Sequence, residues 1–261
     1  MVSRRGRRAP PPVSGLSVSA RLEAARLPDE LVVPILPDRI HVPFWGADTP
    51  WPASLAAGVL ESARGFRHRP ENVVFAALAA SETADSVVEL GAGSGSLLLT
   101  AIAMLGPTRA VAIEIQPLAA DRLRRTLSAH GSMAEVVVAD LRDHVVQGPV
   151  DLVVANPPFY PPGWGRPSAE PEVHASTHAL HGDVGDFMRA AARLVAPQGA
   201  VWFVYDAGRL AELFAAAGSV GLGLSRMVWI PDARAGRVGP TRVWARFTPS
   251  GGAPIERLGG P

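Results

Sequence analysis

The stretch that most restricts the fold is Val87-Val88-Glu89-Leu90-Gly91-Ala92-Gly93-Ser94-Gly95-Ser96, an apolar run that ends in three alternating glycines. Glycine there lets the backbone turn sharply and lets a ligand come close to the main chain. Residues 96–105 continue with apolar residues at helical period, so the segment reads as strand, tight turn, helix. The alternation then recurs. Short β-rich runs stand at Ser86–Leu90, Ala110–Ile115, Ala134–Ala139, Asp151–Ala155 and Ala200–Tyr205, with helix-like stretches at 96–105, 117–129 and 184–195. Nearly continuous apolar strands require cover on both faces, which predicts an α/β, doubly wound parallel sheet. A helix over 208–217 precedes Leu224–Ile230 and Thr241–Thr248, which a short turn-rich loop joins. The sheet is therefore expected to hold seven strands and to end in an antiparallel hairpin, unlike a dinucleotide-binding sheet.

Ahead of this core, residues 1–20 are rich in Arg, Pro, Ser and Gly without an apolar face and read as a disordered tail. The paired arginines lack an apolar segment behind them, so a signal peptide is not expected. Residues 21–80 form an N-terminal extension, Pro-interrupted at first and then helix-like near 53–64 and 71–80. The core is placed at 81–249 and a flexible tail at 250–261. The longest apolar run, Leu97 to Leu105, is about half of the roughly 18 residues a membrane span needs. No membrane partner is expected, and a cytoplasmic location is. Cysteine is absent, which removes disulfide scaffolds, thiolate metal sites and cysteine nucleophiles. The net charge is +1 and every basic residue is Arg. Four of these arginines crowd the first ten residues, which leaves local basic patches rather than a uniform nucleic-acid surface.

The charge on the glycine turn selects its ligand. A pyrophosphate needs bare N–H groups with no anion nearby. Glu89, two residues before the first glycine, repels it and suits a cation. Glu114 ends the next strand, 19 residues beyond Gly95, where a carboxylate can accept the hydroxyl protons of a ribose. Asp140 ends the third strand. The plainer alternatives are a turn that only packs its helix and, for Asp140, a cap on the following turn. The acidic-GxGxG pattern resembles motif I of the class I S-adenosylmethionine (SAM)-dependent methyltransferases.

A second motif follows the fourth strand, where Asp151-Leu152-Val153-Val154-Ala155 runs into Asn156-Pro157-Pro158-Phe159-Tyr160. Two prolines fix φ and remove two backbone donors, leaving a rigid turn with carbonyls to offer. The Asn156 side-chain oxygen beside such a carbonyl makes two acceptors for one NH₂ group. Phe159 supplies a stacking face for the flat group that carries it. An amine conjugated with a π system is a poor nucleophile, because its lone pair is delocalised. Two accepted hydrogen bonds orient the nitrogen and favour a lone pair that points at the methyl donor.

Asn-Pro-Pro-aromatic is the signature of methyltransferases that act on exocyclic or amide nitrogens. Residues 65–248 resemble the bacterial family that contains the tRNA(Val) adenine-N6 methyltransferase, including Gly65-Phe66-Arg67 and the stretch after Phe159. Glu71 stands where that family has Asp, and residues 21–64, with Trp45 and Trp51, differ from its usual lead-in. The resemblance implies a Rossmann-like methyltransferase sheet and SAM as cofactor, held by Glu89, Gly91, Ala92, Gly93, Gly95, Glu114, Ile115, Asp140 and Asn156. It implies that Asn156, Pro157, Pro158 and Phe159 carry the chemistry. Tyr160, Trp164, Arg166 and His178 are expected to contact the acceptor, with RNA, tRNA first, as partner. Glutamine N5 of a protein and guanine N2 of rRNA are alternatives. An NAD-dependent oxidoreductase and a silent RNA-binding module fit the motifs less well. Monomer and homodimer suit the sequence equally.

Two other groups stand out. His174 and His178 have i,i+4 spacing with Asp183 nearby, but no full ligand set accompanies them, so no metal is expected. Arg226, Arg234, Arg237, Arg242 and Arg246 gather about the last hairpin, with only Asp232 against them in sequence, as phosphate contacts or as a solvated loop.

Overall fold

The computed structural model describes residues 15–35, 52–64, 71–143, 146–160, 182–230, 242–249 and 256–257. The first elements are helix α1 (Val18–Ala25), strand β1 (Glu30–Val33), helix α2 (Ala53–Ala57), strand β2 (Val59–Ser62) and helix α3 (Glu71–Ala79). The alternating core follows with β3 (Ser86–Leu90), α4 (Ser96–Leu105), β4 (Arg109–Glu114), α5 (Pro117–His130), β5 (Glu135–Val138) and β6 (Val150–Ala155). It closes with α6 (Val184–Leu194), β7 (Val195–Asp206), α7 (Leu210–Ser219), β8 (Gly223–Ile230), β9 (Arg242–Thr248) and the two-residue β10 (Glu256–Arg257).

The main sheet runs β10-β8-β9-β7-β6-β3-β4-β5. Strands β3 to β7 pair parallel with one another, and β9 is antiparallel to both β7 and β8. The seven expected strands and their closing hairpin are present; β10 adds a short parallel edge beside β8. Successive residues of each strand enter opposite layers, as the two-residue period requires. Val87, Trp202 and Val204 pack with α3, α4 and α5 on one face, while Val88, Leu90 and Phe203 pack with α6 and α7 on the other.

The N-terminal extension differs from its expected form. Helix α1 begins at Val18, inside the stretch read as a tail, with the Ser17 hydroxyl accepting from the Ala20 N–H. The single helix expected over 53–64 is instead α2 followed by β2, which pairs antiparallel with β1. Gly58 makes the break: its φ is +90°, and a Cβ there would lie 2.3 Å from the Val33 carbonyl oxygen. This hairpin is fastened to α5. Glu30 is 3% exposed and takes a two-pronged pair from Arg125, at 2.5 and 2.7 Å, with Arg122 Nε at 3.2 Å. Leu22, Leu60 and Ala129 seal the joint.

Candidate active site

In an open α/β sheet, ligands settle outside the carboxyl ends of the strands where the strand order reverses. Here that point lies at β3, with β4 on one side and β6 on the other. Leu90 and Ala155 are partners in register, and each is the last residue of its strand. The glycine turn and the Asn156-Pro157-Pro158-Phe159 turn therefore leave the sheet side by side, about one strand spacing (~5 Å) apart.

The glycine turn is built as its sequence requires. Gly91, Gly93 and Gly95 have φ of +66°, +52° and +74°. A Cβ on Gly95 would meet Leu123 Cδ1 at 2.1 Å, so this glycine serves the packing of α5. A Cβ on Gly93 would meet nothing within 4 Å, which leaves open space over the turn for a ligand. Asn72, 2% exposed, donates from Nδ2 to Ser96 Oγ at 2.5 Å and ties α3 to the start of α4. Sequence reading passed over Asn72, because a lone Asn beside a helix start carries no motif.

Both carboxylates of the turn are buried. Glu114 Oε2 accepts from the Gly93 N–H at 2.7 Å and Oε1 from the Gln116 N–H at 2.8 Å. Its strand-end position is the expected one, and it also shapes the glycine turn. Glu89 Oε2 accepts from the Leu98 N–H at 2.9 Å, at the positive end of α4. Burial pushes its carboxyl well above the usual range; the Leu98 bond opposes this and neighbouring Glu114 reinforces it. A cation brought to this pocket would favour the ionised form. Open space over Gly93, a strand-end carboxylate and a buried acid whose ionised form burial disfavours suit a ligand with a ribose and a cationic end, as SAM has. Ala92 is buried in the turn, with its N–H on the Ile113 carbonyl, and Ile115 follows Glu114 directly.

Asp140 follows edge strand β5. Arg142 grips it through the backbone N–H at 2.9 Å to Oδ1, Nε at 2.9 and 3.0 Å, and Nη2 at 2.5 Å to Oδ2.

The second turn is held from three sides. The Phe159 ring meets Tyr205 edge-on at 5.5 Å and 79°. The Arg242 guanidinium carbon lies 4.5 Å from its centroid, and Arg209 Nη1 donates to its carbonyl. Burial pushes the Tyr205 hydroxyl up to about 12, so it stays protonated. Pro157 is buried, while Asn156, Pro158, Phe159 and Tyr160 are half-buried. Tyr205 and Arg209 were not found from sequence, and Arg242 was singled out only as a hairpin arginine: they arrive from β7, the turn after it and β9, and the sheet order brings them to Phe159.

Other expectations fare differently. Trp164, Arg166 and His178 lie outside the described residues. Asp183, weighed beside the histidines, is the N-cap of α6, in a reciprocal pair with Asp186. Among the described residues no three His, Asp or Glu side chains gather as a metal site, and no helix is long and apolar enough to cross a membrane. The basic group of the last hairpin is a correction. Arg242 pairs with Asp206 at 2.9 Å, Arg246 with Glu82 at 2.7 Å, and Arg226 bonds Ser81 at 3.1 Å. Carboxylates distant in sequence oppose Arg242 and Arg246, so these two are not bare phosphate contacts.

Comparison with known proteins agrees with this geometry. A family model described as the methyltransferase small domain matches residues 72–212. The chain is 35% identical over 139 residues to the 4-amino-L-phenylalanine/4-methylamino-L-phenylalanine methyltransferase of Streptomyces pristinaespiralis, covering 50% of this chain and 47% of that protein. It is 36% identical over 102 residues to the release factor glutamine methyltransferase of Mycolicibacterium smegmatis (37% and 34% covered). It is 29% identical over 146 residues to the tRNA1(Val) (adenine(37)-N6)-methyltransferase of Aeromonas hydrophila (55% and 61% covered). The matched stretch spans less than two thirds of each of these relatives. A solved methyltransferase structure from Pyrococcus furiosus shares the fold, with a TM-score of 0.55 at 15% identity over 74% of this chain and 88% of that one.

Proposed function

The chain belongs to the methyltransferase small domain family, and we propose that it transfers a methyl group from SAM to a planar, conjugated amine, with adenine N6 of tRNA as the acceptor and the cytoplasm as its place. The register of Leu90 with Ala155 supports this reading, because the glycine turn and the Asn156-Pro157-Pro158-Phe159 turn follow those two paired residues.

SAM supplies an electrophilic methyl group on a sulfonium, which leaves as a neutral thioether. This chain's residues do the rest. Glu114 holds the ribose hydroxyls, Glu89 answers the positive charge of the amino-acid end, and Asp140 faces the adenine amino group. The Asn156 side-chain oxygen and a carbonyl of the Pro157–Pro158 turn accept the two protons of the acceptor amine. Phe159 stacks on its ring. Orientation and electrostatics then supply the rate, and water takes the proton once the nitrogen is alkylated.

A second reading has its own support. Arg142, Arg189, Arg209 and Arg242 surround the strand ends, and each is paired with a carboxylate. That arrangement suits a small arylamine better than a phosphate backbone, and the Streptomyces relative is named for such an amine. Incubation with methyl-labelled SAM and a fractionated extract from a strain lacking the gene separates the cases. Label in tRNA supports adenine, label on added 4-amino-L-phenylalanine supports the arylamine, and label in protein supports glutamine. No label in any fraction contradicts the methyltransferase reading.

A further inference from the structure

Asp140, the carboxylate placed against the adenine edge, presents itself with a guanidinium already bound. Arg142 reaches both of its oxygens through Nε and Nη2. The two residues differ in freedom. The Asp140 side chain is 20% exposed and that of Arg142 is 49%. The main chain of their turn is pinned: Arg193 Nη2 donates to the Leu141 carbonyl at 2.9 Å, and the Asp143 N–H donates to the Asp140 carbonyl at 3.1 Å. The guanidinium is therefore the part that can move, on an anchored turn, against a carboxylate that stays in place.

We infer that Arg142 is a specificity-determining residue for the purine of the cofactor, competing with adenine for Asp140 and softening the choice of base. This rests on the reading that Asp140 faces the adenine of SAM. An adenine edge donates from N6, so a bare carboxylate selects it and repels an oxygen at that position. With Arg142 beside it, the same subsite offers a donor as well as an acceptor. A hypoxanthine edge, which carries O6 and N1–H, can then bind with its partners exchanged. Adenine, for its part, must share or displace the guanidinium before it gains Asp140. An exposed pair of this kind is weak, so the competition amounts to a few-fold in affinity and is screened by salt.

The test is calorimetric titration of the full chain with S-adenosylhomocysteine and with S-inosylhomocysteine. The Arg142→Ala variant is expected to bind S-adenosylhomocysteine about three- to fivefold more tightly than the parent. It is also expected to bind S-inosylhomocysteine more weakly, widening the ratio between the two. Raising the salt should tighten S-adenosylhomocysteine binding in the parent and leave the variant unchanged. Equal or weaker S-adenosylhomocysteine binding by Arg142→Ala, or an unchanged ratio, overturns the inference. Unchanged binding by Asp140→Asn takes Asp140 off the adenine and overturns it too, leaving the methyl-transfer reading standing. No binding of S-adenosylhomocysteine by the parent overturns both.

Discussion

The Arg242 guanidinium lies over the Phe159 ring, 4.5 Å from its centroid, while its Nη1 pairs with Asp206 Oδ2 at 2.9 Å. One side chain from β9 thus joins the end of β7 to the proposed acceptor turn. Its Nε also lies 3.7 Å from Glu71 Oε1 at the start of α3. Stacking of a cation on a ring contributes about 0.5–2 kcal/mol, enough to fix the ring plane. Arg242 thus covers one face of the Phe159 ring, and Tyr205 meets the ring at a steep angle.

Replacing Arg242 with Met should therefore act on turnover rather than on the cofactor. The expected result is a fall in kcat of about tenfold, corresponding to ~1.4 kcal/mol, with S-adenosylhomocysteine affinity within about twofold of the parent. Thermal stability should also drop, because Asp206 and Glu71 lose their shared cation. Unchanged kcat in a folded variant would show that Phe159 does not need this support.

Asn156→Ala should leave S-adenosylhomocysteine binding nearly intact and lower turnover by about a hundredfold or more, as loss of a preorganised polar contact does. Glu114→Ala should do the reverse at the cofactor. It removes the expected ribose contacts and also the acceptor for the Gly93 and Gln116 N–H groups. Cofactor affinity should fall by about tenfold or more, ~1.5–3 kcal/mol, measured by calorimetry.

Glu89 links stability to function through pH. Burial raises its folded-state carboxyl well above 4.5, so the folded protein holds a proton that the unfolded chain has released. Its contribution to stability therefore falls as pH rises from the ordinary Glu value through the raised one. Glu89→Gln, which can still accept from Leu98, should melt higher than the parent at pH 8 and much closer to it near pH 4. The same variant should bind SAM more weakly at pH 8. A melting difference that does not change with pH would show that Glu89 is ionised in the free protein.

The N-terminal hairpin supplies a test of opposite sign. Burial alone would raise the Glu30 carboxyl, but the Arg125 hydrogen bonds and charge, with help from Leu27 and Arg122, lower it from 4.5 to about 2. Its stabilisation is complete above the unfolded value and is lost as pH falls through about 2. Glu30→Gln should destabilise the protein by about 3 kcal/mol at pH 7, since two arginines lose a buried partner, and by much less near pH 2. Denaturant unfolding at the two pH values checks this.

The seven expected strands of the sheet were legible because they are largely apolar runs bounded by turn chemistry, and both motifs sit at strand ends where the chain itself marks them; the two-residue edge β10, Glu256–Arg257, carries no such signal. Ser86–Leu90 was read to the residue, and β4, β6, β8 and β9 to within one. The N-terminal extension was not legible. Its strands β1 and β2 are four residues each, lie on either side of a Pro-rich stretch, and are set by one glycine contact and by the ion pairs of Glu30 with Arg122 and Arg125, both distant in sequence. The site divides in the same way. Glu89, Glu114 and Asn156 belong to local patterns, whereas Asn72, Tyr205, Arg209 and Arg242 reach it only through tertiary packing. The hairpin arginines misled for the same reason, since Glu82 and Asp206 are far from them in sequence.

The most direct test of amine methylation at the Asn156 turn uses SAM with a trideuterated methyl group. The parent and the Asn156→Ala variant would each be incubated with extract from a strain lacking the gene, and every labelled product digested and sequenced by mass spectrometry. A deuterated methyl on the exocyclic nitrogen of a planar group, formed by the parent and reduced about a hundredfold in the variant, is the expected result. A deuterated methyl on oxygen or carbon, or on nitrogen at equal rates in both proteins, would contradict it.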